Sequence, residues 1–364
     1  MIVQEVINHL EAFSPLAYAE DFDNVGLLVG NKNMPITGIL VTLDTLETVV
    51  DEAIETKCNL IVSFHPIIFK GLKKLTGNTY VERVVIKAIK HDIAIYSMHT
   101  SLDNAFQGVN DMICNQLQLT NKQILIPQKQ TIKKLTTYVP VEEAEQLRTA
   151  LFKAGAGNIG NYSDCSFNVE GTGTFNGNDY SNPTKGEKGQ IHYEKETQIS
   201  VTYAKHLESQ ILKALFKTHS YEEVAYEITT LENTNQHIGM GMIGDLSTAM
   251  DEADFLNYVK VHMNTTHIRH SGFLNKKIQK VAVLGGSGSF AIDAAKRAGA
   301  DAFITSDLKY HDFFTAENSI LLVDIGHYES EQFTKNILVA YLTKKITNFA
   351  VVLSKTITNP VKYF

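Results

Sequence analysis

A chain of 364 residues, 44% of them hydrophobic, can fill more than one core, so two domains, or one domain carrying an insertion, are expected. A formal net charge of −7 argues against a partner gripped through a phosphate backbone, so nucleic acid is not expected as a ligand. Cys58, Cys114 and Cys165 are unevenly spaced and form no C-x-x-C pair, which points to a reducing compartment and away from a cysteine-held metal knuckle.

Met1-Ile2-Val3-Gln4-Glu5 places an acid early, and no apolar stretch is long enough for a signal peptide core or a bilayer span. A cytoplasmic protein with no membrane partner is therefore expected. Apolar residues at Val3, Val6, Ile7 and Leu10 give a helical stripe that Ser14-Pro15 ends. The polar loop Asp21-Phe22-Asp23-Asn24-Val25-Gly26 enters a short strand. Residues 39–43 read as a strand, with Asp44-Thr45 as the cap of a helix through Val49, Val50 and Ala53. A second strand over 60–64 stops at His65-Pro66. A helix near 81–90 leads to a third strand, 93–97, that runs into Met98-His99-Thr100-Ser101-Leu102-Asp103. Strands alternating with helices at this spacing predict a largely parallel sheet.

The pattern changes after Pro127. A strand over 135–139 and a helix over 141–154 are followed by a Gly-, Asn- and Ser-rich stretch, 155–189, read as a long loop with short β-like pieces such as 165–169. A strand, a helix and a strand follow over 197–203, 206–217 and 224–229. Two such units predict a small ferredoxin-like α+β module. Alternating strands and helices then resume. Residues 280–284 read as a strand feeding Gly285-Gly286-Ser287-Gly288-Ser289 and a helix. The next strands, 302–305 and 320–323, end at Ser306-Asp307 and at Asp324-Ile325-Gly326-His327. The predicted fold class is thus α/β. Residues 1–127 and 238–364 form a split domain around a largely parallel central sheet, and 128–237 form the insertion.

Polar residues collect where these strands end: His65, then His99 with Asp103, Asp307 with His311, and His327 with Glu331. The carboxyl edge of an open parallel sheet is where ligands bind. On a helix, His327 and Glu331 share a face. Imidazoles and carboxylates without thiolate suit zinc, iron or manganese, and three protein ligands with open positions make such a site catalytic. Gly286-x-Gly288-x-x-Ala291 is compatible with dinucleotide binding, with an anion pocket at a helix start, or with a plain tight turn. Tyr310-His311 reads equally as a source of polar support for the site or as a solvated helix start.

Four blocks carry a resemblance: Asp23-Asn24-Val25-Gly26-Leu27; Ser63-Phe64-His65-Pro66; His99-Thr100-Ser101-Leu102-Asp103; and Gly326-His327-Tyr328-Glu329-Ser330-Glu331. Together they resemble the GTP cyclohydrolase I type 2 homologue family, also called the Nif-three-like family. The resemblance implies a toroidal homohexamer with divalent metals facing an inner cavity, one or two ions per chain. It also implies that the middle module is a PII- or CutA-like insertion. The implied metal ligands are His65, Asp103, His327 and Glu331, with Glu331 bridging two ions. This chain departs from the family at Phe64, where a second histidine is usual, so one ion loses a ligand.

The function expected is metal-dependent hydrolysis of a nucleotide or related phosphorylated or heterocyclic small molecule, with His99 or His311 carrying protons. The alternative is a non-catalytic, metal-binding regulatory or scaffold hexamer whose insertion senses a ligand or binds a partner.

Overall fold

The computed structural model describes residues 1–363. Its Cα positions divide into two compact units: Met1–Pro127 together with the segment from Gln236 onward, and Gln128–Asn235.

The first part of the outer unit runs α1 (Val3–Phe13), β1 (Gly26–Val29), β2 (Ile39–Thr42), α2 (Glu47–Glu55), β3 (Leu60–Ser63), α3 (Tyr80–Lys90), β4 (Ala94–Ser97), α4 (His99–Asn104), α5 (Val109–Gln116) and β5 (Thr120–Pro127). The middle unit contains β6 (Ile132–Pro140), α6 (Ala144–Lys153), β7 (Phe167–Asn176), β8 (Ile191–Ala204), α7 (Glu208–Thr218) and β9 (Tyr226–Leu231). The chain then returns through β10 (Gly239–Met250), α8 (Glu252–His262), β11 (Arg269–His270), β12 (Ile278–Ser287), α9 (Ile292–Arg297), β13 (Ala302–Ser306), β14 (Leu321–Asp324), α10 (His327–Glu331), α11 (Thr334–Lys345) and β15 (Val351–Leu353). No described helix is long and apolar enough to cross a membrane.

The sequence pattern predicts one central sheet in the outer unit, and the structure has two. The first has the order β1-β4-β3-β2-β15, with β4, β3, β2 and β15 parallel. The second has the order β11-β14-β13-β12-β10-β5, with β12, β13 and β14 parallel. Each sheet takes strands from both sides of the middle unit: β15 completes the first, and β5 forms an edge of the second. Periodicity reports that a strand exists and which faces it buries, but not which distant strand it joins.

Alternation within strands explains why these runs are apolar throughout. In the first sheet, Val41, Leu60, Val62 and Tyr96 enter a core that also takes Val281, Val283, Ile304 and Val323 from the second sheet. The intervening residues Leu40, Ile61 and Ile95 pack against α2 and α3. In the second sheet, Ala282, Leu284, Phe303 and Leu322 pack against α9. A strand buried on both faces has no polar side to show. The shared core also receives α1 through Val3, Val6, Ile7 and Leu10, along with residues of α5, α8 and α11.

The middle unit has its own core, in which Leu135, Val139, Ile199 and Val201 meet Leu147, Leu151, Ile211 and Leu215 of α6 and α7. Its sheet order is β7-β8-β6-β9, antiparallel throughout. The Gly-rich stretch expected to be a long loop with short β-like pieces contains the ten-residue strand β7, which pairs with β8 from Phe167↔Ser200 to Asn176↔Ile191. Its glycines and exposed side chains hid the strand, because only a buried face produces a readable alternation.

Pro127 of β5 and Gly239 of β10 are register partners, which leaves Pro127 about 5 Å from a residue only three positions beyond Gln236, where the outer unit resumes. Replacing residues 128–235 with a short Gly-Ser link should therefore give a soluble outer unit that melts in one cooperative step by circular dichroism. An insoluble or non-cooperative product would show that the middle unit belongs to the same folding core.

Candidate metal centre

The site lies where the carboxyl ends of the two sheets approach each other. β3 and β4 of the first sheet deliver His65 and His99, while β13 and β14 of the second deliver Asp307 and His327.

Ser63 fixes the end of β3: its Oγ donates to the His65 carbonyl at 2.7 Å and approaches the Leu43 carbonyl at 3.2 Å. The His65 amide donates to Leu43 O at 2.9 Å. The His65 ring then places Nδ1 2.8 Å from Asp44 Oδ1. Asp44 was expected to cap a helix. The N-cap position of α2 is Leu46, and Asp44 instead orients the His65 ring.

Gly326 turns the chain into α10 with φ +91°, a left-handed value that favours glycine. His327 opens that helix and brings Nδ1 within 2.6 Å of Asp307 Oδ2. One turn later, Glu331 projects from the same face and is almost fully buried. Its Oε2 lies 3.1 Å from His65 Nε2 and 3.2 Å from His327 Nε2. These approaches lack hydrogen-bond alignment, and Oε2 is left buried without a hydrogen-bond partner. One donor atom each from His65, His327 and Glu331 lies within 4.8 Å of the others. Both rings thus hold a carboxylate at Nδ1 and turn Nε2 towards a third carboxylate, as metal-ligating histidines do. The group can hold a metal ion.

Burial alone lowers the pKa of the His65 ring, but Glu331 and Asp44 outweigh it and lift the value to about 10. Burial likewise opposes the charge on His327, and Asp307 with Glu331 raises it to about 11. Burial raises Glu331, yet the two imidazoles bring it down to about 2. In the absence of a cation, the two rings carry the positive charge that Glu331 requires.

The glycine loop also has a visible role. A Cβ on Gly286 would stand 2.6 Å from Glu331 Oε1, and one on Gly288 would stand 2.1 Å from Thr305 Oγ1. The amides of Gly285 and Gly286 donate to Asn110 Oδ1 and Ser330 Oγ at 3.0 and 2.9 Å. Those two N–H groups are engaged, and the bare backbone makes room for the Glu331 carboxylate.

Asp103 lies outside the three-residue group. Its Oδ1 is buried without a hydrogen-bond partner. Burial first, then the nearby charge of Glu331, holds its pKa well above the usual carboxylate range. His99 adopts φ +28° and sets its Nδ1 2.8 Å from Asp23 Oδ1. Its ring is 5.4 Å from that of His65. Phe64 is fully buried in the shared core and stands 4.8 Å from the His65 ring and 5.6 Å from that of His99. His311 makes ring contacts with Tyr310 and Phe314, neither of which belongs to the group.

A cleft of about 540 Å³ opens beside His65 and His327, with Arg269, Tyr328, Asn359 and Tyr363 among its walls. The segment after β15 forms part of this wall: Thr358 donates to Asp44 Oδ2, and Asn359 Nδ2 donates to Glu329 Oε1 at 3.0 Å. Asp44 and this segment are absent from the set of candidates drawn from sequence. Asp44 follows a strand end just as His65 does, so that signal was present. Nothing local marked the segment.

A model of the Duf34/NIF3 (NGG1p interacting factor 3) family matches residues 1–360. The chain belongs to this family. Among Duf34/NIF3 relatives, a GTP cyclohydrolase 1 type 2 homolog of Bacillus subtilis is 40% identical over 373 residues, covering 99% of this chain and 98% of its own length. One of Halalkalibacterium halodurans is 38% identical over 365 residues, with coverage of 99% and 98%. A solved Bacillus cereus protein related to NIF3 superposes with a TM-score of 0.86 at 37% identity, covering 100% of this chain and 99% of that one.

Asp23 offers a test of the Duf34/NIF3 scaffold that needs no metal. Its Oδ2 accepts from the Thr100 amide at 3.0 Å, in addition to the His99 contact. Burial raises its pKa, but His99 and Thr100 bring it down to about 2. Its carboxylate therefore stabilises the fold above the unfolded value of about 4, and that contribution is lost as pH falls through about 2. Asp23→Asn should cost about 2 kcal/mol at pH 7, with the gap from the parent narrowing below pH ~4 in urea titrations. A gap independent of pH would reject this account.

Proposed function

We propose that the protein is a metal-dependent hydrolase of a nucleotide or related phosphorylated or heterocyclic small molecule. The observation that carries the reading is the buried, unpartnered Oε2 of Glu331, faced by two imidazole nitrogens whose rings are held from behind by Asp44 and Asp307. In this reading His65, His327 and Glu331 hold one divalent ion, and Asp103 with Glu331 holds a second and weaker one that Phe64 cannot complete. Imidazole and carboxylate donors suit zinc, with iron and manganese as alternatives.

A divalent ion bound there would polarise a substrate oxygen and acidify a water. The chain's own residues do the rest. Asp44 and Asp307 keep the two rings in one tautomer and one orientation. His99, anchored by Asp23 and adjacent to the His65 ring, holds and returns a proton. The proposal gives this role to His99 rather than to His311, whose ring contacts lie elsewhere. Arg269 on the cleft wall supplies a cation for an anionic substrate group, and Tyr328 and Tyr363 supply flat surface for a heterocycle.

The proposal extends to a cytoplasmic homohexamer, which rests on the family resemblance and is tested by sedimentation. It also reads the middle unit as a ferredoxin-like insertion of the PII or CutA kind, a reading supported by the order β7-β8-β6-β9 with two helices on one face. The non-catalytic alternative is favoured by one observation, the cavity in the middle unit described below.

Glu331→Gln separates the two. It should remove bound metal and abolish metal-dependent hydrolysis of nucleotides while leaving the chain folded and the oligomer size near that of the parent. A parent with full metal and no turnover on any nucleotide would favour the regulatory reading. Because both rings are protonated at pH 7 and a metal binds them neutral, more than one proton should leave per ion. Affinity should therefore rise with pH through the neutral range. Calorimetry in buffers of different ionisation enthalpy counts the protons, and a pH-independent affinity would sink the ligand assignment.

Phe64→His tests the departure from the family pattern. It should raise metal content from about one towards about two ions per chain by elemental analysis, at a cost in stability of about 2 kcal/mol from the lost core packing. Unchanged content would show that Phe64 does not limit the second ion.

A further inference from the structure

The middle unit contains a cavity of about 520 Å³, within the range that encloses a small organic ligand. Its floor is the sheet face opposite α6 and α7. Along that face, Tyr138, Gln198 and Val169 are neighbours in register, followed by Gly171 beside Glu196. Gly171 and Gly173 occupy positions where side chains would otherwise fill the space. A Cβ on Gly171 would meet nothing within 4 Å, whereas one on Gly173 would stand 2.1 Å from Glu196 Oε2. The missing side chain at 173 is what lets the Glu196 carboxylate lie across the floor.

That carboxylate is only 7% exposed. Its Oε1 accepts from the Tyr221 hydroxyl at 2.8 Å. Burial, then Glu196, raises the Tyr221 pKa, so the phenol keeps the proton it donates. Phe175 packs edge-on to Tyr221 at 5.9 Å, and Tyr138 adds a further ring to the lining. The connection between β7 and β8 is tied over the cavity, with Asn182 N donating to Glu222 Oε2 at 2.6 Å and Thr184 Oγ1 to Ser220 O at 2.9 Å. The lining carries carboxylates at Glu196, Glu222 and Glu223, and its one cation, Lys185, is paired with Glu142 at 2.9 Å.

We propose that this cavity is a binding site for a small organic cation with a flat apolar body, an aryl-alkyl amine or its equivalent, whose ammonium group meets Glu196 and whose body lies among Tyr138, Phe175 and Tyr221. Aromatic faces attract cations, and a buried carboxylate with one oxygen left for a ligand completes the recognition. The site is distinct from the metal centre and does not rest on the hydrolase reading.

The test uses the intact chain and three probes with one body and different charge: tyramine, 2-(4-hydroxyphenyl)ethanol and 4-hydroxyphenylacetate, titrated by calorimetry. Tyramine should bind at least about tenfold more tightly than the neutral alcohol, and the acid should not bind. Glu196→Gln keeps an acceptor for Tyr221 and should bring tyramine down to the level of the alcohol. Gly171→Leu sends its side chain into the open space and should abolish binding of both, with the melting temperature and metal content unchanged.

Failure of the parent to bind tyramine, or a preference for the acid, would overturn the proposal. So would an amine preference that survives Glu196→Gln. A change of oligomer size in Gly171→Leu would assign the cavity to a contact between copies and would also overturn it. Metal content is read alongside, so failure here is distinguishable from failure of the hydrolase reading.

Discussion

A carboxylate with almost no access to water is the constraint around which the outer unit is built. Removing such a charge from solvent costs several kcal/mol unless charge and hydrogen bonds are supplied in its place. Glu331 receives two imidazoles at close range, a backbone stretch without side chains beneath Oε1, and a helix turn clasped by Ser330. The imidazoles in turn need their own carboxylates, Asp44 and Asp307, or their rings could rotate away. The burial of one side chain thus fixes the positions of four others. A cation accepted by Glu331 and the two rings relieves the same electrostatic demand that protons satisfy in its absence. The group could consequently trade its protons for a cation without having to rebuild its surroundings.

Two sheets rather than one make this convergence possible. In a single parallel sheet, neighbouring strand ends lie side by side in one row, and facing ligands would have to reach across from long loops. Here the first sheet sends in His65 and His99 while the second sends in His327 and Glu331, so short side chains meet from opposite directions. The shared apolar core beneath them, filled from both sheets, holds the two rows at a fixed separation. Phe64 belongs to that core and also adjoins the site, so a substitution made for packing at this position has a direct effect on the donor set.

The outer unit's elements that sequence revealed, such as α1, β2, β3, β4, β12, β13 and β14, were legible because each buries a stripe or a face whose period survives in sequence, whereas α5, β5, β10, α8, α11 and β15 went unread. His65, His327 and Glu331 stood out because histidines and carboxylates recur where strands stop, and by the same signal Asp103 stood out although it lies outside their group. What sequence could not provide was pairing at a distance. It did not separate two sheets from one, and it did not pair β15 with β2. Asp44 resembled a helix cap because it stands before a helix, and its partner His65 is reached only through the adjacent strand. β7 resembled a loop because its side chains face open space and its glycines leave that space vacant. The glycine loop before α9 was compatible with several roles, and the position of Glu331 above it shows one that the pattern did not suggest. His311 was drawn in by its short distance from Asp307 along the chain, although the turn carries its ring towards Tyr310 and Phe314.

The pairing of β15 with β2 bears on how the molecule is made. A ribosome delivers β2 and His65 well before the strand that closes the edge of β2 and the helix that carries Glu331, which follow far downstream in chain order. Throughout that interval the growing chain presents β2 and β5 as open edges, with backbone donors and acceptors free to pair with whatever they meet. The middle unit has no such wait, because all its strands find their partners within its own stretch of sequence. It can fold while the outer unit is still half translated, bringing the early and late halves of the outer unit to a common point through β5 and β10. An insertion between two halves of a sheet thereby shortens the search for closure once β15 has emerged.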